Sequence, residues 1–310
     1  MPRCRLAASS LAALGAFLVA VAADAGDVRT TLKLAQEVYE AGTPVRGELT
    51  LVNEGEGWAE IPDAAHLARR LELRAAGGKV IHPRDPDRFG AAKTTALGPG
   101  GFVGFAFDAA KLFPQLAQPG EYTLAFNPPG QLSAASAPIR ILPAFDPNQD
   151  YRMKIVTPNG PIVIDLFEKE APVAVHNVVQ LARTGFFDGA SIPKIQKGTA
   201  LIIRGPVTER HRIVPFEKTN VPLLAGTVVL EPAPPGRRPA NYPKLIVLLG
   251  PKPDWQGRVT AVGQIVEGQE ALDRLAAVPT TGPGGVPPFK PLQPVSVDKA
   301  EILEAPKGDR

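Results

Sequence analysis

Few residues in this chain have the type and spacing that chemistry needs. The four histidines, His66, His82, His176 and His211, are scattered. The one cysteine, Cys4, sits in the basic start of an apolar leader, so no metal-ligand spacing arises and no cofactor is called for. Neither a Gly-x-Ser-x-Gly elbow nor a phosphate-binding Gly-x-x-x-x-Gly-Lys loop is present. What remains is the stretch 183–198, "RTGFFDGASIPKIQKG". It reads as a helix ending at Gly185, two aromatics, an Asp188-Gly189 turn, and a strand carrying Pro193 and Lys194. Lys194 is either a donor in the wall of a groove or a solvated surface charge. Pro193, lacking an N–H, suits an edge or bulged position.

The elements around this stretch have different periods in the two halves of the chain. Residues 27–143 alternate apolar and polar residues in short runs broken at glycine and proline, such as "PVRGELTLVNEG", "GGFVGFAFD" and "PGEYTLAF". Six or so strands in this span predict an antiparallel sandwich that resembles immunoglobulin-like modules, with Tyr122 where a tyrosine corner is expected. Segment 62–70 adds a short helical turn. The stretch 142–151, "LPAFDPNQDY", holds two prolines and few apolar anchors, and residues 144–151 read as a linker. Beyond it, "MKIVTPNGPIVIDLF" predicts a hairpin about Asn159-Gly160.

Two helices follow from spacing. Val175, Val178, Val179 and Ala182 share one helical face behind Pro172, and Ala271, Leu272, Leu275 and Val278 share another. Between them lie β-like runs at 199–203, 226–230, 245–249 and 258–266. A β-rich body with two distant helices predicts a closed barrel with helical caps. "EPAPPGRRPANYPK" (231–244) is a stiff loop carrying Arg237-Arg238, "TTGPGGVPPFKPLQP" (280–294) connects to the last strand, and 305–310 is a tail.

Composition bounds the class. With 310 residues, 44% hydrophobic residues and a formal charge of +3, the chain accommodates two globular domains and shows no basic stripe for nucleic acid. Its 30 glycines and 34 prolines fit many turns between short strands. Arg3 and Arg5, the apolar run 11–23 and Ala23-Asp24-Ala25 read as a secretory signal over residues 1–25. That run is short for the roughly 30 Å of a bilayer core, and no later segment is long enough to span one. The expected product is a monomer in the periplasm, in the medium or on the cell surface. Cys4 leaves with the leader, so stability rests on packed cores.

Residues 152–304 resemble the cyclophilin-type peptidyl-prolyl isomerases. The resemblance is carried by "GPIVIDLFEKEAPVAVHNVVQLARTGFFDG", "GTVVL", "GRVTAVGQIVEGQEALDRLAAVPT" and "PLQPVSVDKAEI". It implies an eight-stranded antiparallel barrel capped by two helices, no cofactor, and proline-containing peptides or protein segments as partners. The overall fold class expected is therefore mainly β, an immunoglobulin-like sandwich followed by this barrel.

The resemblance also implies a site. In the family an arginine in a Phe-His-Arg run after the Asp-Gly turn hydrogen-bonds the twisted prolyl amide. The corresponding run here is Ile192-Pro193-Lys194, which makes Lys194 the candidate catalytic residue. Ile192, Leu201, Ile202, Leu230, Leu245 and Trp255 are the candidate substrate-binding residues. Arg204, on the next strand, is a possible substitute guanidinium. The groove motifs differ from the family's, with Val259 at the usual histidine and lysine replacing the planar fork. These changes imply weak or absent isomerase activity; the alternative is a binding module without catalysis.

Overall fold

The computed structural model describes residues 27–89, 94–130, 132–206, 214–232 and 240–305. The leader with Cys4, His211 and the Arg237-Arg238 pair lie outside the described residues. The chain divides into two compact units, one ending at Ala144 and the other starting at Phe145.

The first unit is built of β1 (Val28–Leu34), β2 (Val38–Glu40), β3 (Arg46–Asn53), β4 (Ala59–Ile61), β5 (Leu71–Ala75), β6 (Val80–Ile81), β7 (Thr95–Leu97), β8 (Phe102–Asp108), β9 (Gly120–Phe126) and β10 (Ala135–Leu142). One sheet runs β1-β3-β8 and a second β2-β10-β9-β5-β6, with β4 and β7 paired separately. All these pairs are antiparallel except β2 with β10. The alternating apolar positions of both larger sheets, among them Leu32, Leu49 and Leu51 from one and Leu73, Leu124 and Ile139 from the other, meet in one buried core. Among the described residues ten strands stand where six or so were expected. The difference lies in two- and three-residue strands, too short to show alternation. The helical turn expected in 62–70 is α1 (Ala64–Ala68), whose N-cap Asp63 accepts the His66 N–H. A second short helix, α2 (Ala109–Leu112), follows β8. The Tyr122 hydroxyl lies 3.2 Å from the carbonyl oxygens of both Gln115 and Gln118.

The second unit contains β11 (Asp150–Thr157), β12 (Gly160–Leu166), α3 (Pro172–Arg183), β13 (Ser191–Gln196), β14 (Ala200–Arg204), β15 (Val214–Pro215), β16 (Thr227–Pro232), β17 (Ala240–Leu248), β18 (Ala261–Glu267), α4 (Gln269–Ala276) and β19 (Lys299–Ala305). Its sheet runs β13-β14-β17-β16-β18-β12-β11-β19, with short β15 added to β17. The ends of that order are joined by the residues just before β19. Ile192 N–H donates to Val295 O, Gly189 N–H to Val297 O, and Val297 N–H to Ala190 O. The sheet thus closes on itself, which leaves no long bare edge.

The inward positions of the sheet and the apolar faces of α3 and α4 form one core. Val175, Val178, Val179 and Ala182 are buried, as are Ala271, Leu272 and Leu275, while Val278 packs partly buried beside them. Removing one such valine or leucine side chain from water is worth about 1.5–3 kcal/mol. Phe145, in the segment leading into β11, stacks on Tyr151 and on His176, with ring centroids 5.1 and 4.7 Å apart. The β11–β12 hairpin differs from expectation by one residue. Thr157 pairs with Gly160, so Pro158 and Asn159 are the turn and Gly160, at φ +118°, opens β12.

Candidate functional site

The Phe-Phe-Asp-Gly turn is scaffold. Thr184 ends α3, and Gly185 at φ +76° adopts the left-handed conformation that glycine takes at no steric cost. The Gly185 N–H then reaches Ala182 O and the Phe186 N–H reaches Leu181 O, the paired bonds of a Schellman stop. Phe186 and Phe187 turn into the barrel core, edge to face at 5.1 Å. A methyl on Gly205 would come within 2.4 Å of the Phe186 ring, so that glycine is needed for β14 to pass. Asp188 accepts the Ala300 N–H at 2.9 Å and ties the turn to β19. Together these contacts fix where β13 begins.

On β13 the register shifts between Ser191 and Lys194. Pro193 lies within that bulge, where a missing N–H costs no ladder bond. Lys194 pairs with Ile202, Ile202 with Ile246, Ile246 with Val229, and Val229 with Ala261. Directly paired residues point the same way, so these five define one row on the outer face of the barrel. Most of their sequence neighbours, among them Ile195, Leu201, Ile203, Leu230, Leu245 and Val262, belong to the interior core.

That parity decides the fate of each candidate. Ile192, Leu201, Leu230 and Leu245 are at most 1% exposed and belong to the interior core, so they do not line the outer face. Ile202 and Trp255 are outside, partly buried against a second apolar cluster of Ala200, Leu223, Val229, Ile246, Leu248, Val259 and Ala261. A one-residue slip in strand register exchanges the two faces completely. Runs such as "TVVL" and "LIVLL" are apolar at both parities, so sequence alone did not reveal that Val229 and Ile246 face outward.

Much of this outer cluster is covered by the chain itself. Val229 and Ala261 are fully buried and Ile246 is 6% exposed. The segment ahead of β16 lies over them, stitched down by Thr260 Oγ1, which accepts the Glu217 N–H and donates to Glu217 O. Gln256 Nε2 donates to Thr219 O and Lys252 N–H to Leu223 O, which holds the Trp255 turn in place. Trp255 stays partly open, as does the end of the row at Ile202 and Lys194. There the Lys194 ammonium sits 5.8 Å from the Phe289 ring centroid, a cation–π contact, and Ile195 N–H donates to Phe289 O. The 280–294 connector therefore docks on the free side of β13. Arg204 stands on the same outer face as Ile202, two residues along β14 and opposite Lys244. Among the described residues no three His, Cys, Asp or Glu side chains converge to hold a metal, and no helix is long and apolar enough to cross a membrane.

The fold and this face define a class: a closed β-barrel with two helical caps and an external apolar cluster rimmed by cations. Residues 152–302, within the second unit, match the family model described as cyclophilin type peptidyl-prolyl cis-trans isomerase/CLD. The chain is 27% identical over 161 residues to peptidyl-prolyl cis-trans isomerase-like 2 of Cryptococcus neoformans var. neoformans serotype D, covering 49% of this chain and 27% of that protein. It therefore spans about a quarter of the length of that curated relative. It is 24% identical over 156 residues to peptidyl-prolyl cis-trans isomerase CYP18-2 of Arabidopsis thaliana, covering 48% of this chain and 91% of that protein. Among solved structures it is similar to a Cryptosporidium parvum cyclophilin type peptidyl-prolyl cis-trans isomerase crystallised in the presence of the dipeptide Ala-Pro. That match has TM-score 0.45 and 18% identity, over 50% of this chain and 99% of that one.

Proposed function

We propose that this is an exported protein in which an immunoglobulin-like sandwich precedes a cyclophilin-type barrel that holds proline-containing segments with little or no isomerase activity. The observation that carries the reading is the row Lys194–Ile202–Ile246–Val229–Ala261, which sets a lysine, where the resemblance implies an arginine, beside the partly open apolar side chain of Ile202. Rotation about an Xaa-Pro bond faces a barrier of ~18–20 kcal/mol, and a catalyst lowers it only by binding the twisted amide better than either planar form. Loss of one well-placed donor costs about 3 kcal/mol, a hundredfold or more in rate. Lysine supplies a point charge without the planar fork, and here its ammonium is already engaged by Phe289. Burial of Val229, Ile246 and Ala261 under the chain's own loops leaves a small apolar surface for the ring. Export is supported by the leader pattern in residues 1–25, and the sandwich reading by the Tyr122 contacts.

A protease-coupled assay on an Xaa-Pro peptide tests the proposal. The expected rate is close to the uncatalysed one, and Lys194→Ala leaves it unchanged. A robust rate that collapses in Lys194→Ala would instead establish Lys194 as a working catalytic donor.

A further inference from the structure

Arg204 is used neither by the barrel nor by the reading above. Its strand neighbour Ile203 is buried in the core, so Arg204 projects to the outer face beside Ile202. Directly opposite it on β17 is Lys244. Two like charges facing each other across a ladder repel, and the structure compensates one of them. Lys244 pairs with Glu231 and lies 5.5 Å from the Tyr242 ring centroid. The other is left uncompensated. Among the described residues the Arg204 guanidinium makes no hydrogen bond or ion pair, and its Nε is buried without a partner. A buried polar N–H in that condition costs stability unless something satisfies it.

We infer that Arg204 is an anion anchor, and that the segment recognised by this face carries an acidic side chain two residues from its proline. The inference rests on the proposed proline-binding role and names the substrate class for it. Arg204 and Ile202 are alternate residues of one strand, so their Cα atoms stand about 6.5–7 Å apart. That is the spacing between an apolar ring and a carboxylate two residues apart on one face of an extended peptide. A carboxylate meets a guanidinium through two parallel N–H···O bonds, and Arg204 is partly exposed on this face. Lys194 serves this purpose poorly because its charge already lies over Phe289.

The test is a titration of the full chain with four fluorescent peptides of otherwise equal sequence, with Glu or Gln two residues before a central Pro or Ala, written below as Glu-Pro, Gln-Pro, Glu-Ala and Gln-Ala. The Glu-Pro peptide is expected to bind about tenfold tighter than Gln-Pro, a difference of about 1.4 kcal/mol. The preference should shrink with added salt, vanish in Arg204→Gln and survive in Lys194→Gln. Equal affinity for Glu-Pro and Gln-Pro, or no binding by either, overturns the inference, as does a preference that persists in Arg204→Gln. A Glu preference that is the same with alanine as with proline keeps Arg204 as the anchor and overturns the proline reading. Arg204→Leu separates an anchor from a structural arginine. With no partner to lose, it is expected to melt at or above the wild-type temperature; a lower melting temperature would mark Arg204 as part of the scaffold and count against the inference.

Discussion

At the residue scale, the function of a side chain on this barrel is set by its parity along the strand. Leu230 and Val229 are adjacent and both fully buried, yet one belongs to the interior core and the other to the outer cluster. Leu230→Ala should cost about 2–5 kcal/mol in urea unfolding, while the folded fraction binds proline peptide as the wild type does. Ile202→Ala should do the reverse, weakening peptide binding severalfold in calorimetry at little cost in stability, because Ile202 is only partly buried at the open end of the row. A Leu230 variant that folds normally but loses binding would put the binding surface on the other side of the sheet. Lys194 was legible in the sequence as a candidate, by its place after the Asp188-Gly189 turn. Its partner Phe289 was not, because 95 positions separate them and nothing local in "PPFKP" announces a docked ring.

At the scale of elements, the two caps were legible because a helix repeats its apolar face every third or fourth residue. The features that hold them in place were less so. The N-cap residue of α3, Ala171, has no side-chain acceptor to offer. Glu217 supplies one from the covering segment, accepting the N–H groups of Val173 and Ala174 at 3.2 and 2.7 Å. A carboxylate there satisfies two otherwise orphaned donors and opposes the helix dipole. Glu217→Ala should therefore lower stability by about 1 kcal/mol. It should also loosen the segment over the outer cluster, seen as faster hydrogen exchange at Glu217 and Thr260. Unchanged exchange at those sites would mean that the segment is held without the helix. At the start of α4, Gly268 has φ +86°, and a Cβ there would lie 2.2 Å from Pro161 O. The glycine before that helix is thus required by close passage of β12, a contact that sequence spacing alone does not disclose.

At the scale of the whole molecule, each unit owns a closed core, with Phe145, Tyr151 and His176 stacked at the start of the second. A fragment beginning at Phe145 is expected to fold alone and to melt in one transition with the far-ultraviolet dichroism of a β-rich domain. Failure of that fragment to fold would make the first unit part of the second unit's stability. The mainly β class and the order of helices and strands were readable from period and punctuation. Barrel closure was readable only as an expectation, since the bonds between residues 189–192 and 295–297 join segments about a hundred residues apart.

The central claim is that this face holds proline without turning it, and exchange nuclear magnetic resonance on a peptide mixed with substoichiometric protein reads both properties at once. The account predicts cis and trans resonances broadened or shifted by binding, together with a change at the Trp255 indole, while the exchange rate between the two isomers stays at its protein-free value. Exchange accelerated a hundredfold or more, and abolished by Lys194→Ala, would contradict it.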